Sequence, residues 1–82
     1  MEKPEIMKPG TRFTNGDMEL TVLSFAENGG RNLALLIRHD DGMFITVRNL
    51  QPYNGAYCWT WGHYFDGLTE ALKDYKKRFN DL

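Results

Sequence analysis

Four turn signals divide this chain into short runs and point to a succession of hairpins. Asn15-Gly16, Gly29-Gly30, Asp41-Gly42 and Asn54-Gly55 each supply residues that accept the positive φ of a tight turn. The runs between them are rich in β-branched, aliphatic and aromatic residues, the composition of strands. The expected strands are 11–14, 17–26, 32–39, 43–48 and 57–65. The segment 49–56, with Pro52 and Asn54-Gly55, is expected to be a loop or turn.

Loop length then predicts register. A three-residue loop at 40–42 pairs His39 with Met43, Ile37 with Ile45, and Leu35 with Val47. A four-residue turn at 27–30 pairs Val22 with Leu35 and Leu20 with Ile37. Together these set Met18, Leu20, Val22, Leu33, Leu35, Ile37, Met43, Ile45 and Val47 on one face and Glu19 opposite Arg38. The other face carries Leu23, Phe25, Ala34, Leu36 and Phe44, edged by Glu19, Arg38 and Arg48.

The fifth run, Tyr57 to Phe65, holds both tryptophans. Read as an unbroken strand, it points Tyr57, Trp59, Trp61, His63 and Phe65 to one side. Gly62 suggests a bulge that would re-aim His63. Beyond it, Asp66 can cap a helix over 67–80, with Leu68, Ala71, Leu72, Tyr75 and Phe79 as an apolar stripe and Lys76, Lys77 and Arg78 near its C-terminal end. The fold class expected is α+β, an antiparallel four- to five-stranded sheet (a meander) packed by one C-terminal helix. A half-open barrel with the helix as a plug is the competing arrangement. All 82 residues form one domain, with 1–10 a loosely ordered lead-in, 11–65 the sheet and 66–80 the helix.

Composition narrows function. The formal net charge of −1, with acids and bases interspersed, disfavours nonspecific nucleic-acid binding driven by counterion release. No apolar run reaches the roughly 20 residues of a membrane span. The lone Cys58 excludes an internal disulfide and fits a reducing cytoplasm. Cys58, His63 and Asp66 are the residue types of a nucleophilic site, but Cys58 and His63 differ in parity along an unbroken strand, and Asp66 serves as a cap. Cys58, His39 and His63 lack the paired spacing of a zinc site. Gly29-Gly30-Arg31 lacks P-loop spacing and is followed by no helix. No catalytic residue, metal or cofactor is therefore expected.

The ending Trp61-Gly62-His63-Tyr64-Phe65-Asp66, followed by a helix from Leu68 to Phe79, resembles small proteins of bacterial phages and mobile elements, particularly those of Firmicutes. The likeness covers about the last third of the chain. It implies a β-meander leading into a helix, and an accessory protein that acts by binding, in some cases by blocking host defences such as CRISPR nucleases. The function expected is a non-enzymatic protein-binding module acting on a host or phage protein. The open face supplies the contact residues Leu23, Leu36, Arg38, Phe44 and Arg48, with Tyr57 and Trp59 at its rim. A homodimer through part of that face is a further expectation. The alternative is a single-stranded nucleic-acid or nucleotide binder that stacks bases on its aromatics beside the arginines.

Overall fold

A computed structural model of the protein describes residues 8–53 and 56–82. The start of the expected lead-in, 1–7, and the Asn54-Gly55 turn lie outside the described residues. The described chain runs β1 (Arg12–Asn15), β2 (Met18–Asn28), β3 (Arg31–Arg38), β4 (Phe44–Tyr53), β5 (Ala56–Phe65) and α1 (Leu68–Asn80). The five strands form one antiparallel sheet in the order β1-β2-β3-β4-β5. The fold is thus α+β, a curled meander packed by one C-terminal helix. The segment expected as a loop before Tyr57 is instead the end of β4, where Tyr53 pairs with Ala56.

The register differs from the loop-length expectation on both sides of β3, and each difference has a local cause. Asn28 pairs with Arg31, so Gly29-Gly30 alone makes the β2–β3 turn, both glycines at positive φ. That change alone would keep the expected faces. The pairing then slips at Leu23, where a bulge between Val22 and Ser24 brings Val22 opposite Leu36 and Leu20 opposite Arg38. At the other turn the loop holds four residues, 39–42. It is closed by hydrogen bonds from Arg38 N to Met43 O and from Gly42 N to Arg38 O, each 2.8 Å. Leu36 consequently pairs with Ile45 and Leu35 with Thr46. A one-residue slip exchanges faces, so β3 is turned over relative to the expected sheet. The expected Glu19–Arg38 ion pair is absent: Glu19 pairs with Arg12, and Arg38 with Asp41.

Two apolar layers result. The inner, concave layer gathers Phe13, Leu20, Val22, Ala34, Leu36, Ile45, Val47 and Leu50, with Met18, Phe25, Tyr57 and Trp59 packed against it. The sheet curls far enough to bring β1 to β5, and Phe13 meets Tyr57 edge to face at 5.4 Å between centroids. The open back expected for Phe25, Ala34 and Leu36 is therefore this curl's interior. The outer layer contains Leu33, Leu35 and Thr46, all buried on the side where the helix rests against β3, β4 and β5. The helix is thus an outer cover; the interior is filled by the strands' own side chains.

The helix ends where the periodicity predicts, but two details change. Its N-cap is Gly67, in extended conformation and with no side-chain capping bond, so Asp66 does not cap it. Its sheet-facing side is also rotated from the expected stripe. Ala71 and Arg78 are buried, while Leu68, Leu72 and Phe79 remain about half exposed. Among the described residues, no helix is long and apolar enough to cross a membrane.

Candidate functional site

The helix is fastened to the sheet by a polar cluster. Thr46 on β4 is fully buried, so its hydroxyl needs partners. It donates to Asp74 Oδ2 at 2.6 Å and accepts from Arg78 Nη1 at 3.0 Å, and Arg78 Nη1 also reaches the Thr46 carbonyl at 3.0 Å. His63 on β5 pairs with Thr46 across the ladder, and its Nδ1 donates to the same Asp74 oxygen at 2.9 Å. Burial pushes the Asp74 carboxyl up. The hydrogen bonds from Thr46 and His63, with the charges of His63 and Arg78, outweigh it and leave the carboxyl below its ordinary value. Nearby, Ser24 donates to the Tyr75 hydroxyl at 3.1 Å, and burial raises that phenol.

This arrangement orients an imidazole as a carboxylate–histidine dyad does, yet no nucleophile is bonded to it among the described residues. The bulge at Trp61-Gly62 puts Cys58 and His63 on the same face, since Cys58 pairs with Gln51 and His63 with Thr46, but no hydrogen bond joins them. No group of three or more His, Cys, Asp or Glu side chains suited to a metal occurs among the described residues. What the contacts of the cluster do is fasten the helix to the sheet.

The second feature is a pair of bulges on facing strands. Between Arg48 and Gln51, β4 carries an extra residue; between Thr60 and His63, β5 carries one. Each bulge includes a non-glycine residue in the left-handed region, Asn49 at φ 58° and Trp61 at φ 54°. The Asn49 amide donates to Thr60 Oγ1 at 2.9 Å and ties the two bulges together. Trp61 is 74% exposed, the most exposed large apolar side chain described. Beside it, Gly62 lies beneath two rings: a Cβ there would come within 3.2 Å of Trp59 Nε1 and 3.4 Å of the Tyr64 ring.

The seven residues expected to share one contact face are distributed over three locations. Leu36 has no exposed surface, and Tyr57 and Trp59 are half-buried against the inner core. Arg38 is paired with Leu20 and stands at the rim of that interior. Its guanidinium lies 5.7 Å from the Tyr64 ring centroid, bonds Asp41 at 2.6 and 3.1 Å, and contacts the Met18 and Met43 sulfurs. Phe44 and Arg48 belong to the opposite, helix-bearing side, Phe44 paired with Phe65 and Arg48 with Thr60. Leu23 is exposed at the β2 bulge.

Sequence reasoning left Trp61 open between core and surface and passed over Asp74 and Arg78 as site residues. The signal for Trp61 was the following Gly62, which marks a bulge and so breaks the alternation that grouped it with Trp59. The signal for Asp74 and Arg78 was their spacing from Ala71, which puts all three on one side of a helix. No protein-family model matches the chain, and comparison with curated proteins and with solved structures gives no match.

Proposed function

We propose that this chain is a small, non-enzymatic protein-binding module that docks on a host or phage protein through Trp61. The observation that carries the reading is the state of that residue. It is three-quarters exposed and sits on a left-handed backbone next to a glycine that could have taken the strain at less cost. Such a conformation costs roughly 1–3 kcal/mol at a bulky residue. Tryptophan, with tyrosine and arginine, is enriched among the residues that anchor protein interfaces. Leu68 and Leu72 on the helix that follows are exposed as well.

Within this proposal the setting is the cytoplasm of a phage- or mobile-element-bearing host. An anti-defence role is the specific form implied by the resemblance of the C-terminal third. The nucleic-acid alternative is less favoured because several arginines it needs are engaged internally: Arg12 with Glu19, Arg38 with Asp41, and Arg78 with Thr46 and Asp74. Capture from host lysate by the wild type and by Trp61→Ala tests the reading. A protein retained by the wild type and lost with Trp61→Ala is the expected result; identical capture by both would remove Trp61 as anchor. A bound species that is displaced by single-stranded DNA and falls away steeply with salt moves the function to nucleic acid.

A further inference from the structure

The helix is fastened by its polar side and shows apolar residues to solvent. Asp74 and Arg78 bond Thr46, His63 bonds Asp74, and Ala71 is buried on the same side. Leu68, Leu72 and Phe79 stand 43%, 47% and 52% exposed. Tyr75, bonded to Ser24, forms the inner edge of their stripe. These four residues are spaced 4, 3 and 4 apart. That is the seam of a helix that pairs with another helix, with Leu68 and Tyr75 at d-type positions and Leu72 and Phe79 at a-type positions.

The two edges of this seam differ. One is closed, because its g-type positions, Ala71 and Arg78, are buried. The other is open, because its e-type positions, Thr69 and Lys76, are exposed. Lys73 and Lys77 lie behind Lys76 on the outward side and are exposed too. None of the three lysines has a carboxylate partner among the described residues. Of the two acids in α1, Asp74 is turned to the sheet. The other, Glu70, is two residues from both Leu68 and Leu72 and so projects away from the stripe. The open edge is therefore positive.

That charge selects the occupant. A second copy in antiparallel pairing would set Lys76 against the same basic edge of its twin. Parallel pairing would need Ala71 and Arg78, which are already buried. We infer that the outward stripe of α1 is a docking site for an amphipathic helix of the partner protein, leucine-rich along its own seam and carrying glutamate on the edge that meets Lys76. This rests on the reading of the chain as a protein-binding module and gives the partner a chemistry. Three half-exposed side chains fall short of the roughly 1,200 Å² of a stable interface, so the stripe adds to the contact made through Trp61.

The test follows the methyl resonances of Leu68 and Leu72 by NMR in the whole protein, a readout suited to weak binding. The probes are helical peptides with leucine at a and d and either glutamate or lysine at e and g. Hexaglutamate and phosphatidylglycerol vesicles are further arms. The glutamate-edged peptide is expected to shift both leucines, and Leu72→Ala to weaken its binding about tenfold. Lys73→Glu combined with Lys76→Glu is expected to reverse the preference, so that the lysine-edged peptide binds instead. These variants replace exposed side chains, and an unchanged circular-dichroism spectrum checks that they fold. No shift with the glutamate-edged peptide, an equal shift with hexaglutamate, or an unreversed preference in the double variant overturns the inference. A response to vesicles alone, or shifts that grow with protein concentration alone, overturns it in favour of a lipid surface or a second copy. Partner capture that survives the double lysine variant and Leu72→Ala but not Trp61→Ala overturns it too, while leaving the docking reading intact.

Discussion

Leu36, which a regular alternation puts on the contact face, is core, and Trp61 is the residue left outside. Leu36 is wholly enclosed between Val22 and Ile45, whereas Trp61 stands in solvent. The two residues should therefore respond oppositely to truncation. Leu36→Ala is expected to cost about 2–5 kcal/mol, the range for a deleted core leucine. Trp61→Ala should leave stability within about 0.5 kcal/mol of wild type, the range for surface changes. Urea denaturation of both variants checks this, and a large loss with Trp61→Ala would mean that the indole is part of the fold's support.

At the scale of elements, helix docking depends on polar contacts more than the sequence suggests. The apolar stripe of Leu68, Leu72 and Phe79 is rotated partly into solvent, and Thr46, Asp74, Arg78 and His63 join helix to sheet. Thr46→Val keeps the volume but leaves Asp74 and Arg78 each short of a buried partner. The expected loss is roughly 1–3 kcal/mol by chemical denaturation. Acid acts on the same cluster. The Asp74 carboxyl is held below its ordinary value, so its contribution is complete above the unfolded value of about 3.9 and is lost as pH falls through the lower folded value. The stability gap between wild type and Asp74→Asn should therefore narrow below about pH 4. Asp41, held low chiefly by its bond to Arg38, titrates in the same direction in both proteins and cancels from that comparison.

The whole molecule is a sheet rolled nearly shut, with its seam bridged by Phe13 on Tyr57. For a chain of 82 residues, total stability is on the order of 4–12 kcal/mol. Phe13→Ala, at about 3–5 kcal/mol, removes a large part of it. That variant is expected to melt far below wild type in a circular-dichroism scan, and a near-normal midpoint would show that the seam matters little. The turn chemistry announced a meander of four to five strands, because Asn-Gly, Gly-Gly and Asp-Gly pairs act locally, and the helical spacing of Leu68, Ala71, Leu72, Tyr75 and Phe79 announced the closing helix. The turns left the curl undecided, as the half-open-barrel alternative. The curl goes with the Leu23 bulge and with the His39–Gly42 loop being one residue longer than expected, which together turn β3 over. The candidate contact residues were misplaced for the same reason, since the face of each was inferred from the face of its neighbours.

The facing bulges at Asn49 and Trp61 also bear on which length changes the chain can survive. Gln51 to Tyr53 and Phe44 to Thr46 meet β5 in one and the same register, because the surplus residue on one strand cancels the surplus on the other. Removing Asn49 alone shifts one end of the hairpin against the other and turns buried residues outward. Removing Trp61 alone does the same in the opposite sense. Removing both restores the pairing along the whole ladder, so two separately disruptive deletions should rescue each other's folding. The restored chain would be a sound scaffold without its anchor.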